Sequence, residues 1–405
     1  MAVGLVEPEK LQAVKGVRCS AVAAGIKKKA GAHDLVLFEI AAGSHCAAVF
    51  TRNKFCAAPV VLAKQHLQVA APRYLLINAG NANAGTGQQG MTDALQTCQL
   101  LAEHGQCEAE QVLPFSTGVI GQNLPVDKFA AAIPHALGDL DQYNWLSAAR
   151  GIMTTDTLAK GLSRQFDIQG KTVTITGIAK GSGMIRPDMA TMLAFIASDV
   201  AISQALLDDC LNQAVEQSFN AITVDGDTST NDACVLMATG QAGNAEITAD
   251  DEACNAFRNA LTDVCQFLAQ AIIRDGEGAT KFITIEVINA ASEVDARQIA
   301  YTIGHSPLVK TALFASDPNW GRILAAVGRS GVSLELEGIK IYLDEVCIVS
   351  GGGRDPAYTE EQGQKVMSQD EIRIVVDMNA GRSRARVWTC DFSYDYVKIN
   401  AEYRS

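Results

Sequence analysis

Between Met192 and Ala197 the chain reads Met-Leu-Ala-Phe-Ile-Ala, with neither the alternation of a one-faced strand nor the length of a helix. Such a run predicts a strand buried on both faces, so the rest of the chain has to cover it from two sides. The approach to it is opposite in character. Lys180-Gly-Ser-Gly-Met-Ile-Arg-Pro-Asp-Met-Ala190 holds two glycines and a proline, which predicts an irregular loop over 181–188. Thr191 stands at the junction. A hydroxyl there, after the small Ala190, is a place where a chain could cut itself. The new terminus would carry nucleophile and base on one residue, because its α-amine can take the proton of its own hydroxyl. The other reading is a β-branched residue that merely starts a strand, and this stretch alone leaves both open.

Patterning predicts further strands at 74–78, 112–115, 171–179, 221–224, 282–287, 340–343, 346–349, 371–377 and 383–389, and a hairpin from 34–42 and 45–51 about Gly43-Ser44. Helices are predicted at 91–104, 127–137, 144–153, 203–218, 251–273, 293–303 and 306–314. The longest carries a stripe of Phe257, Leu261, Val264, Leu268 and Ile272. Strands and helices alternate, but strands also come in adjacent pairs. That favours an α/β chain of the α+β type, with layers about a mixed sheet, over a doubly wound parallel sheet. A chain of 405 residues, 48% hydrophobic, is expected to form two or three structural units.

A formal charge of −12 without a basic block argues against nucleic acid or an anionic membrane as the main partner. Eleven cysteines lie scattered with no C-x-x-C pair, which favours free thiols in a reducing compartment. The first residues carry acids where a secretory leader carries bases, and no stretch of 18 apolar residues occurs, so the expected location is the cytoplasm.

Several chemistries are then excluded. The acids from Asp225 to Asp232 lack the Gly and Glu of a calcium loop, having Thr230 and Leu236 at those places, and Gly351 to Arg354 lacks the Lys of a phosphate loop. None of the six histidines lies in a polar or Gly-rich loop, no G-x-S-x-G elbow exists, and no paired His or Cys ligands suggest a metal. A nucleophile that supplies its own base survives. The loops at 78–87, 116–121, 225–232 and 275–281 all adjoin predicted strands and could gather at one edge. The strand entering Ser116-Thr-Gly118 can offer a hydroxyl and an N–H to one point, as an oxyanion hole requires. The Thr154-Thr-Asp-Thr157 cluster can be a helix end or a pocket wall, and Glu277 a turn acid or a pocket carboxylate.

Six motifs in order, Asn78-Ala-Gly-Asn-Ala-Asn-Ala-Gly-Thr-Gly87, Ser116-Thr-Gly-Val-Ile-Gly121, Met184-Ile-Arg-Pro-Asp-Met-Ala-Thr-Met-Leu193, Val224-Asp-Gly-Asp-Thr-Ser-Thr-Asn-Asp232, Asp275-Gly-Glu-Gly-Ala-Thr-Lys281 and Ile399-Asn-Ala-Glu-Tyr-Arg-Ser405, resemble the ornithine acetyltransferase family of arginine biosynthesis over the whole chain. The resemblance implies a layered αββα N-terminal-nucleophile fold made as a precursor and cut between Ala190 and Thr191. It gives an alpha chain of residues 1–190 and a beta chain of residues 191–405, two of each in the assembly. It implies that Thr191 is the nucleophile, that Thr117 and Gly118 form the oxyanion hole, and that Thr154, Lys180, Thr191, Glu277, Asn400 and Ser405 bind substrate. The implied reaction moves an acetyl group from N-acetylornithine to glutamate through an acetyl-enzyme, with no cofactor or metal. Acetyl-CoA is left open as a second acetyl donor. The competing reading is a self-processed aminopeptidase or amidase that passes the acyl group to water.

Overall fold

In the computed structural model, which describes residues 2–186 and 192–402, the apolar run becomes an inner strand of a five-stranded sheet. Numbering strands along the chain, the order is β3 (His45–Phe50), β9 (Ala233–Ala238), β8 (Leu193–Ser198), β7 (Lys171–Lys180), β6 (Lys160–Ile168). β8 runs antiparallel to β7 and parallel to β9. Its side chains alternate between two cores. Ala194 and Ile196 join the core beneath helices α5 (Gln204–Glu216) and α6 (Glu252–Arg274), while Leu193, Phe195 and Ala197 join the core shared with a second sheet.

That second sheet is β1 (Val17–Val22), β2 (Leu35–Ile40), β4 (Tyr74–Asn81), β5 (Val112–Val119). Phe195 ties the sheets together, its ring centroid 5.7 Å from that of Phe38 on β2 and 5.2 Å from that of Phe115 on β5. Burying such a ring contributes about 1.5–3 kcal/mol. Leu35, Leu37 and Leu76 on the outer face meet α2 (Gly87–Gly105) and α3 (Val126–Gly138), α1 (Ala58–Val69) lies along β5, and α4 (Trp145–Gly151) closes the inter-sheet core with Trp145. Helix, sheet, sheet and helix layers thus stack in the αββα order, which is why a run apolar at every position is needed.

A third unit follows α6. Its sheet runs β13 (Gly353–Arg354), β12 (Val346–Ser350), β11 (Lys340–Leu343), β14 (Glu371–Asp377), β10 (Phe282–Ala290), β15 (Ser383–Cys390). α7 (Glu293–Gly304), α8 (Pro307–Phe314), α9 (Trp320–Gly328) and α10 (Glu360–Met367) share its core. A last helix, α11 (Tyr394–Ala401), returns to the first unit. Among the described residues no helix is long and apolar enough to cross a membrane.

Two expectations are corrected. The hairpin about Gly43-Ser44 does not form: β1 and β4 occupy both edges of β2, so after the Ala41–Ser44 turn the chain crosses to the other sheet, where β3 pairs with β9. Residues 221–224 are buried but are no strand. Their N–H groups go to different partners, Thr223 to the Trp388 carbonyl at 2.9 Å and Val224 to the Ile185 carbonyl at 2.7 Å, so the segment links units instead of extending a sheet.

Candidate active site

The C-terminal ends of β4, β5 and β7 and the N-terminal ends of β8 and β9 meet at one edge, where Lys180, Leu193 and Ala233 lie in a row across the sheet. A cavity of about 270 Å³ opens there, lined by Thr117, Gly118, Thr154, Lys180, Glu277 and Asn400 together with residues 229–231. These come from segments far apart in the chain. The loops expected to gather do so, and the 154–157 cluster forms a wall.

Local chemistry fixes each group. At Gly118 the backbone has φ +130°, and an added β-carbon would lie 2.6 Å from the Gly80 oxygen and 2.7 Å from the Asn81 nitrogen, so only glycine permits this approach of β5 to β4. The neighbouring Thr117 Oγ1 accepts from Lys180 Nζ at 3.3 Å. Glu277 sits in the turn between α6 and β10. Its backbone N–H donates to the Ser182 carbonyl at 2.9 Å, and its carboxylate accepts from Asn400 Nδ2 of α11 at 2.8 Å. A β-carbon on Gly183 would strike that carboxylate, so a larger residue there would push the Glu277 side chain aside.

Beneath the cavity lies a buried ionic triad that sequence reading missed. Lys160 Nζ sits 2.6 Å from both Asp156 and Asp275, all three side chains being withdrawn from solvent. Asp156 also accepts from the Thr154 and Gly181 N–H groups, at 2.9 and 2.8 Å, and Asp275 from the N–H and hydroxyl of Thr157. The Asp275 carbonyl takes the Ser182 hydroxyl at 2.6 Å. One cation thereby holds together the segments bearing Thr154, Lys180 and Glu277. Asp225 does related work, accepting from Met184 and Ile185 N–H at 2.7 and 2.9 Å and from the Tyr396 hydroxyl of α11 at 3.5 Å.

Burial would raise the Asp156 carboxyl, but Lys160, Lys180 and the Gly181 N–H overrule it and hold it well below the usual range. Lys160 is opposed by burial yet raised by its two carboxylates. Lys180 is pulled down by burial, with Asp156, Asp232 and Glu277 resisting and Lys160 assisting. Asp232, just before β9, is 2% exposed, and burial pushes its carboxyl well upward; its Oδ2 has no hydrogen-bond partner among the described residues. The cavity thus offers a cation, a carboxylate, an amide and hydroxyls within a small space. Such a set suits a zwitterionic small molecule.

The ArgJ family model matches residues 18–405. This chain belongs to the ArgJ family. It is 54% identical to the arginine biosynthesis bifunctional protein ArgJ of Pseudomonas syringae pv. tomato over 407 residues, covering 100% of both chains. Similar solved structures include the arginine biosynthesis bifunctional protein ArgJ of Bacillus halodurans, at 40% identity with TM-score 0.49, over 51% of this chain and 96% of that one. Another is the ornithine acetyltransferase of Mycobacterium tuberculosis complexed with ornithine, at 35% identity with TM-score 0.39, over 45% of this chain and 96% of that one.

Of the site residues expected from the resemblance, Thr117, Gly118, Thr154, Lys180, Glu277 and Asn400 are brought together. Ala190, Thr191 and Ser405 lie outside the described residues. Asp156, Lys160, Asp225 and Asp232 were missed as site-builders. For Asp156 and Lys160 the i,i+4 spacing was the available signal, and it is indistinguishable from a surface ion pair until burial is known; Asp225 and Asp232 lie within the fourth motif.

Proposed function

We propose that this chain transfers an acetyl group from N-acetylornithine to glutamate, in arginine biosynthesis, through an acetyl ester on Thr191. The observation that carries the reading is the meeting in one cavity of six expected site residues from five separate segments. The chain is made as one precursor and cut between Ala190 and Thr191, giving residues 1–190 and 191–405, two copies of each in the assembly. Thr191 Oγ attacks the acetyl carbonyl while the Thr191 α-amine takes the hydroxyl proton. Thr117 and Gly118 hold the oxyanion. The C–N bond then breaks, the proton passes to the departing amine, and ornithine leaves. The glutamate amine attacks the ester next; a C–N bond forms, the C–O bond to Thr191 breaks, and the proton returns to Thr191, releasing N-acetylglutamate.

Lys180 pairs with a substrate α-carboxylate and Glu277, with Asn400, with the ornithine side-chain ammonium; Thr154 and Ser405 complete the substrate contacts. Acetyl-CoA is a proposed second donor to the same ester, and eleven free thiols suit a reducing cytoplasm. Intact mass tests the scheme. Wild type should give two fragments meeting at Ala190/Thr191, and Thr191→Ala a single chain without transferase activity. A full-length, uncut wild type that is active would sink it, and acetate release in place of transfer to glutamate would turn the reading to a hydrolase.

A further inference from the structure

The two proposed substrates carry opposite side-chain charges, and the cavity matches only one of them. N-acetylornithine brings one carboxylate and one ammonium, answered by Lys180 and Glu277. Glutamate with its attacking amine neutral brings two carboxylates, while Lys180 is the only cation among the described lining residues of that cavity. Two further cations lie next door. An adjoining space of about 490 Å³ shares Gly118, Val119, Thr154 and Thr155 with the first and is lined by Lys27 and Lys28, of which Lys28 is exposed and Lys27 half-buried.

The loop bearing Lys27 is fixed by buried Asp34, whose carboxylate accepts from the Ala24, Ile26 and Lys27 N–H groups at 2.7, 2.5 and 2.8 Å. That carboxylate is therefore spent on backbone. Lys27 is half-buried, and its Nζ donates to the carbonyls of His33 at 2.8 Å and Gly151 at 3.1 Å. It makes no ion pair among the described residues. Asp156, the other acid that influences it, is committed to Lys160. The result is a preorganised ammonium, directed by two carbonyls and short of an anion.

We propose that Lys27 is the specificity-determining residue for the acceptor, taking the side-chain carboxylate of glutamate in the space beyond Gly118 while Lys180 holds the α-carboxylate. This rests on the acetyl-enzyme reading. Ornithine, with no second carboxylate, makes no use of Lys27, so one cavity serves both half-reactions without a single pocket having to welcome both charges.

The experiment separates the halves. Ornithine release from N-acetylornithine is followed with hydroxylamine, a neutral acceptor whose nitrogen bonds to the acetyl carbon as the Thr191 ester C–O bond breaks; transfer to glutamate is followed in parallel. Lys27→Met should raise the KM for glutamate tenfold or more and leave hydroxylamine-dependent ornithine release within twofold, and Lys27→Arg should recover most of the loss. In wild type, glutamine should be at least tenfold poorer than glutamate in kcat/KM, and Lys27→Met should narrow that ratio. An unchanged glutamate KM, or an equal rise in the KM for N-acetylornithine, overturns the proposal. If Lys27→Met does not fold, the wild-type ratio still decides, since equal use of glutamine and glutamate also overturns it. No ornithine release to hydroxylamine in wild type would remove the acetyl-enzyme itself, and the assignment of Lys27 with it.

Discussion

Replacing Lys160 by Met leaves the shape of the core nearly intact and removes the one cation between Asp156 and Asp275, each 2.6 Å from its Nζ. Two buried carboxylates then lose the cation that bridges them. Breaking a buried pair in this way costs about 3–5 kcal/mol. With an unfolding entropy of roughly 2.1 cal/mol/K per residue, about 0.85 kcal/mol/K for 405 residues, Tm should fall by about 4–6 °C. The pH dependence makes the test sharper. In wild type Asp156 has a depressed folded pKa, so its stabilisation is present above the unfolded carboxyl range near 4 and is lost only as pH falls through the lower folded value. In the variant burial is opposed only by Lys180 and the Gly181 N–H, so the folded Asp156 carboxyl moves upward and the folded state is favoured more as pH falls toward it. Tm measured by calorimetry from pH 8 to pH 5 should therefore show a gap that narrows on acidification. A gap that is absent at pH 8, or one that stays constant to pH 5, refutes the keystone role of Lys160. Because the triad holds the Thr154, Lys180 and Glu277 segments, kcat/KM should fall as well, in proportion neither to folded fraction nor to substrate binding alone.

Gly118→Ala should cost about 10²–10³ in kcat with a smaller change in KM, measured by ornithine release, because the new β-carbon displaces the β4–β5 edge at the oxyanion position. Glu277→Gln should raise the KM for N-acetylornithine about tenfold and spare the KM for glutamate, read from steady-state kinetics. Burial, with Arg186, Lys310 and Arg329, lowers His305 to about 4, against about 6.5 unfolded; the unfolded chain then binds the extra proton, and stability falls as pH drops from about 6.5 toward 4. His305→Gln should lose less Tm than wild type between pH 7 and pH 4.5.

Legibility in the sequence followed the range of the forces involved. The long stripe of α6 and the unbroken apolar β8 announced themselves because each states its burial in consecutive residues. The hairpin at Gly43-Ser44 misled because its local turn chemistry is sound and only the occupation of both β2 edges, by β1 and by a strand that begins at Tyr74, sends β3 elsewhere. The cavity's lining groups stand in or beside conspicuous Gly-rich or polar stretches, Thr117 and Gly118 at the end of β5 and Glu277 between two glycines. The supporting groups do not. Lys160 lies within a strand, 115 residues from Asp275, and nothing short of the folded arrangement distinguishes it from a solvated lysine.

The two chains expected from a cut before Thr191 would be woven through one sheet. β3, β6 and β7 would belong to the first chain and β8 and β9 to the second, with β8 laddered to β7 and β9 laddered to β3. A backbone break at that point removes a covalent link but opens neither ladder, so separating the products means tearing an internal sheet apart. Each half made alone would expose bare strand edges and half of two cores. The proposed catalytic amine would thus be freed without freeing its chain, and the cut would work as a local chemical change inside an assembly already folded as one.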